Sequence, residues 1–178
     1  MKTSQLKSIL NYILPCTNVK VYDVSAYDQL NVSNINKFPA AFILNTAKHT
    51  HPGIHWICLY FKSAKDIFFF CSYGHSAEFY NFTNIRPTTW NTTRFQSINS
   101  NKCGHFSLVV LHQLALNNSF ERALSLFSKN NTNRNDAIVQ KYLNKIYRLR
   151  QQTLKHSGQQ CVTLRAFKNE YKRTRKYL

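Results

Sequence analysis

The segment from Cys103 to Leu116 constrains this chain most. It is almost wholly apolar, with Phe106, Leu108, Val109, Val110, Leu111, Leu114 and Leu116 leaving no wet face. A helix apolar on all sides must run through the core and be covered by other layers. Its first two residues, Cys103-Gly104, follow the polar stretch from Gln96 to Lys102. A thiol at that junction sits at a helix N-terminus, where backbone N–H groups and the helix dipole favour a thiolate.

The elements around this helix are legible as well. Thr3 to Leu14 reads as an amphipathic helix with Leu6, Ile9, Leu10 and Ile13 on one face. A polar, turn-rich stretch to Phe38 follows, and Ala40 to Leu44 reads as a strand. Ile54 to Phe61 and Asp66 to Cys71, split by Lys62-Ser63-Ala64-Lys65, read as a β-hairpin. Ser76 to Asn101 reads as irregular. Ser119 is placed to cap a helix over Phe120 to Phe127, and Asn135 or Asp136 to cap another carrying Ile138, Tyr142, Ile146 and Leu149, with Asn130 to Asn133 a loop between them. Strands in the middle with helices before and after give an α+β chain. With 178 residues, 43% hydrophobic and 14% aromatic, it is expected to form a single domain over 1–178.

Charge is the second constraint. Lys and Arg number 24 against 7 Asp and Glu, a net charge of +17. Such a field attracts polyanions, with nucleic acid the natural partner. The segment 141–178 carries eleven Lys and Arg against one acid, Glu170, and reads as a basic C-terminal helical surface or arm. Lys172, Arg173, Arg175 and Lys176 are its candidate phosphate contacts, or a solvated helix face or nuclear-import signal. The five cysteines, Cys16, Cys58, Cys71, Cys103 and Cys161, are odd in number and lack CxxC spacing. They suggest free thiols in a reducing compartment and not a disulfide framework. Neither a signal peptide nor a membrane span is expected.

Chemistry converges on three residues. Cys103 is the candidate nucleophile. His55 opens a strand after the loop ending in Gly53, with Trp56 beside it, and is the candidate base. Gln96, seven residues before Cys103, could join a backbone N–H in stabilising an oxyanion. His49, His51 and His55 lack a carboxylate or Cys at ligand spacing, so no metal site is expected.

Together these segments resemble the adenovirus endopeptidase (adenain) family and its virophage and Maverick/Polinton relatives. The resemblance runs over Gln5-Leu6-Lys7-Ser8-Ile9, Ile43 to Ala47, Gly53-Ile54-His55-Trp56, Phe70 to Gly74, Gln96 to Gly104 and Leu111-His112, about residues 4–116. It implies a papain-like cysteine protease fold in permuted order, His before Cys, with a central mixed β-sheet packed by helices. It implies Cys103 as nucleophile, His55 as base and Gln96 as oxyanion donor, with Trp56 and Gly104 beside the substrate. It implies a monomeric viral maturation endopeptidase that cleaves capsid or core precursor proteins at Gly-containing sites. It also implies stimulation by DNA, no required cofactor, and a place in the virion and in the host nucleus or cytoplasm.

Two departures stand out. The family's triad acid falls at Cys71, and a neutral thiol orients an imidazole poorly. A Cys103/His55 dyad, an acceptor from elsewhere, or an attenuated site are the alternatives. Asp66 is roughly 16 Å away along a strand, and Glu78 lies beyond the Gly74 turn. Two thiols beside one imidazole could also form a disulfide or trap a soft metal. The family's disulfide-linked peptide activator has no Cys to bond between Cys71 and Cys103, which leaves a non-covalent peptide as the form such an activator could take. The competing functions are a non-catalytic DNA-binding virion protein on the same fold and a protease of ubiquitin-like modifiers.

Overall fold

The computed structural model describes residues 1–15 and 17–157. Its centre is a five-stranded mixed sheet in the order β1-β2-β3-β4-β5. The strands are β1 (Val21–Ala26), β2 (Ala40–Asn45), β3 (Trp56–Phe61), β4 (Ile67–Phe70) and β5 (Thr89–Trp90). β1 pairs with β2 and β4 with β5 in parallel, whereas β2–β3 and β3–β4 are antiparallel. The helices are α1 (Thr3–Ile13), α2 (Cys103–Asn117), α3 (Phe120–Leu124) and α4 (Thr132–Ser157). This is an α+β architecture with a mixed sheet packed by helices. Among the described residues no helix is long and apolar enough to cross a membrane.

Every residue of β2 and β3 is buried, so both sheet faces are covered. Strand alternation sorts their side chains into two cores. Ala41, Ile43, Trp56, Cys58, Tyr60, Phe68 and Phe70 face the helices, where α1, α2 and α4 supply Leu6, Leu10, Phe106, Val110, Val139 and Leu143. Phe42, Leu44, Ile57, Leu59, Phe69 and Cys71 face a second core closed by Ala77, Phe82 and Ile85. α2 is buried along nearly its whole length, as its composition requires. Ser107 Oγ donates to the Trp56 carbonyl at 3.2 Å and ties the helix to β3 where that strand begins.

The structure corrects four boundaries. The stretch before Phe38 contains β1, whose burial is confined to Val24. An edge strand wet on most of its length carries too few apolar residues to be read by alternation. The 76–101 region contains a 3-10 turn at Glu78–Tyr80 as well as β5. Ser119 caps α3 as expected, accepting from the Arg122 N–H at 3.3 Å, but the helix stops at Leu124. α4 begins at Thr132, where Asn131 Oδ1 accepts from the Arg134 N–H at 2.9 Å. Asn135 is not the cap. It is fully buried and joins the Ser128 N–H and carbonyl to the Phe95 carbonyl. Cys16, Cys161 and the basic residues Lys172, Arg173, Arg175 and Lys176 lie outside the described residues.

Burial holds several histidines neutral. It pushes His112 down to about 3, and His55 and His105 down to about 4, the last two helped by neighbouring positive charge. An unfolded chain binds these protons near pH 6.5, so between about 6.5 and 4 the unfolded state carries more protons than the folded one. Stability is therefore full above pH 6.5 and falls as pH drops, by up to ~1.4 kcal/mol per pH unit for each such histidine. Urea unfolding from pH 7.5 to 4.5 should show this slope, and His112→Gln should reduce it.

Candidate active site

The candidate residues gather where β3 begins and β4 ends, because antiparallel pairing puts those termini at the same end of the sheet. Cys103 is the first residue of α2. The backbone of Trp56 and Gly104 at the helix start favours its thiolate form. Burial pushes the thiol pKa above its ordinary value, and that backbone opposes the rise. Trp56 lies against the same helix turn. A methyl built on Gly104 would sit 3.4 Å from Trp56 Cδ1 and from Leu6 Cδ2, which is ordinary contact, so the close approach does not demand glycine. The Trp56 indole N–H donates to the Met1 carbonyl at 3.2 Å.

His55 is 6% exposed and immediately precedes Trp56, whose backbone favours the Cys103 thiolate. With its pKa near 4, the ring is neutral at pH 7. Tyr73 stacks on it at a 5.0 Å centroid separation, with Tyr80 at 5.9 Å. His55 Nε2 is 3.5 Å from Cys71 Sγ. Among the described residues no hydrogen bond joins His55 to Cys103; burial leaves the imidazole neutral and raises the thiol pKa.

No carboxylate stands in for Cys71 among the described residues. Asp66 is occupied with Lys62 at 3.3 Å, on the strand's far end. The chain after Gly74 does fold back, but it delivers Tyr80 and leaves Glu78 exposed. Tyr80 Oη lies 3.1 Å from Cys71 Sγ and 3.3 Å from His75 Nδ1. Cys71 itself is held by the buried Asn91, whose Oδ1 accepts from its N–H at 3.1 Å and whose Nδ2 donates to its carbonyl at 2.7 Å.

Gln96 is fully buried. Its Oε1 accepts from Ser72 Oγ at 2.7 Å, and its Nε2 donates to the Ser100 carbonyl and, at 3.3 Å, to Tyr73 Oη. Ser72 also accepts the Phe95 and Gln96 N–H groups on its carbonyl. Both N–H bonds of the Gln96 amide are thus occupied within the protein, the longer one to Tyr73. Tyr73 feels the charge of Cys103 and Cys71, after burial the main causes of its raised pKa.

Two clefts border these residues. One, of about 520 Å³, is lined by Trp56, Gly53, Asn45, His49 and His51. The other, of about 760 Å³, is lined by Tyr73, His75, Arg94, Ile98 and Lys129. His49 does not join His55: its Nδ1 pairs with Asp28 at 2.7 Å, which holds the Asp28 carboxyl below its usual range. Among the described residues no group of three or more His, Cys, Asp or Glu could hold a metal ion.

Sequence reasoning missed Tyr80, His75 and Asn91. The Asn91 signal was weakest, because a lone Asn in an Asn-rich stretch has no period. Tyr80 and His75 were visible only as aromatic residues just past a Gly turn.

Removing Asn91 strands the buried N–H and C=O of Cys71. Asn91→Ala should cost about 2–6 kcal/mol, since each of the two buried groups left unpaired costs about 1–3 kcal/mol. Denaturant unfolding measures this, and an unchanged midpoint would refute the anchoring role.

No protein-family model matches the chain, and no curated protein matches its sequence.

Proposed function

We propose that this protein is a cysteine endopeptidase with a papain-like site in permuted order, acting on capsid or core precursor proteins during viral maturation. The observation that carries it is Cys103 at the start of a buried helix, with the backbone of Trp56, the residue after His55, favouring its thiolate. The resemblance in sequence order and spacing supports the same reading.

In this mechanism the Cys103 S–H proton passes to neutral His55 as sulfur attacks the scissile carbonyl carbon. The oxyanion gathers on backbone N–H groups at the start of α2 and on Gln96 Nε2. Gln96 reaches it by exchanging the Tyr73 hydroxyl for the oxyanion, which keeps its second N–H on Ser100. Collapse expels the amine, which takes the proton from His55. Water then attacks the thioester with His55 again as base, releasing the acid and restoring the thiol. Because both partners rest neutral, proton transfer belongs to the attack and not to a preformed ion pair.

Substrate would lie between the Trp56 and Tyr73 clefts. Precursors with Gly at the cleavage point fit a site flanked by two aromatic rings. The net charge of +17 supports DNA as a non-specific activator that concentrates enzyme and substrate on one polyanion.

The test is single-turnover cleavage of a Gly-Gly-X peptide panel, with and without DNA. Cys103→Ala should lose cleavage by about 10³-fold or more. Cys71→Asp should raise the rate at least about tenfold, by restoring a charged partner to the imidazole. If neither the parent nor Cys71→Asp cleaves while DNA is bound, the chain is a DNA-binding protein on this fold.

A further inference from the structure

Four polar groups form an unbroken line through the site. His55 Nε2 is 3.5 Å from Cys71 Sγ, which is 3.1 Å from Tyr80 Oη, which is 3.3 Å from His75 Nδ1. The line joins three separate pieces of chain: the residue before β3, the end of β4, and the 3-10 turn Glu78–Tyr80. Its rings are also packed on one another. Tyr80 lies over His55 at 5.9 Å, His75 against Tyr80 at 6.0 Å, and Phe79 closes over His75 at 4.0 Å.

We infer that Tyr80 and His75 are positioning residues that, through the Cys71 thiol, hold the His55 imidazole in the tautomer a base requires. The inference rests on the endopeptidase reading for its direction. To take a proton from Cys103 on Nδ1, His55 must carry its own proton on Nε2. That N–H donates to Cys71 Sγ. The thiol S–H then donates to Tyr80 Oη, and the Tyr80 O–H donates to His75 Nδ1. His55 donates, Cys71 and Tyr80 each accept one hydrogen bond and donate one onward, and His75 accepts, so the donors and acceptors balance along the line. The last acceptor is an imidazole nitrogen, the strongest neutral acceptor available to a phenol. Run in reverse, the same line would place the His55 proton on Nδ1 and leave the Cys103 proton nowhere to go.

A lone thiol is a weak partner for an imidazole, because it neither accepts strongly nor chooses between its neighbours. A thiol whose own proton is committed to a phenol has its lone pairs left for Nε2–H. Tyr80 thus converts Cys71 from an ambiguous neighbour into an acceptor, and His75 commits Tyr80. The line orients without charge, which suits a ring that burial keeps neutral.

The experiment reads histidine tautomers in the full-length protein by long-range ¹H–¹⁵N correlation at pH 7.5, with the His55 signals assigned from His55→Gln. It also reads the rate at which iodoacetamide alkylates Cys103, mapped by mass spectrometry. The parent should show His55 protonated on Nε2. Tyr80→Phe and His75→Leu should lower the Nε2–H fraction and slow Cys103 alkylation by about tenfold. His75→Gln, whose Oε1 can accept from Tyr80, should stay within about twofold of the parent. A parent with His55 protonated on Nδ1 overturns the inference. So does a folded Tyr80→Phe with unchanged tautomer and alkylation rate. If Tyr80→Phe does not fold, the parent tautomer and the His75→Leu/His75→Gln pair decide. Absence of peptide cleavage with the tautomer and rates as expected would remove the endopeptidase reading and leave the positioning line standing.

Discussion

The seat of α2 on β3 is the contact on which everything else depends. A helix apolar on every side has nowhere to go but the middle, and the sheet must offer it a flat, fully covered strand. β3 does so with Trp56, Cys58 and Tyr60 on the helix side, and Ser107 sets the register through one hydrogen bond to Trp56. That single registration fixes the thiol. Once Ser107 is tied to residue 56, the start of the helix one turn earlier must lie beside the same residue. The approach of Cys103 to the His55–Trp56 peptide is therefore a consequence of core packing and needs no separate device.

The rest of the site is built by amides standing in for secondary structure. Between the end of β4 and the start of α2 the chain forms only two residues of strand, yet it must place Gln96 and Cys71 closely. Asn91 bonds to Cys71 as a neighbouring strand would, with one acceptor and one donor. Asn135 does the same between α4 and the Phe95 carbonyl. Buried polar networks of this kind are stabilising when every member is satisfied and costly when one is lost. The Asn-rich composition of this stretch thus has a structural use.

What could be read from the residues follows from how each element is stabilised. α1, α2 and the β3–β4 hairpin announce themselves because burial is periodic or continuous along them, and local chemistry marks the Ser119 cap. β1 is held by parallel pairing to β2 and buries only Val24 fully, so its pattern is that of a polar loop. Asn135 looks like a cap because asparagines favour caps, but its tertiary partners outrank that preference. Cys103, His55 and Cys71 are legible in the sequence as candidates. The groups that support them were not, since Tyr80, His75 and Asn91 act at distances in sequence set by the fold alone.

The two cores meet at these residues. Cys103 and Trp56 are packed with the helical core, whereas Cys71, Tyr73 and Tyr80 belong to the smaller core on the opposite face of the sheet. The site is thus a seam, and its geometry is a joint property of two bodies of unequal size. The smaller body is closed by loops and short 3-10 turns, with little regular structure of its own. If it loosens, the larger body keeps its helices and its share of the sheet. Such a protein can be well folded by every global criterion and yet have the Cys103 thiol and the groups around His55 out of register.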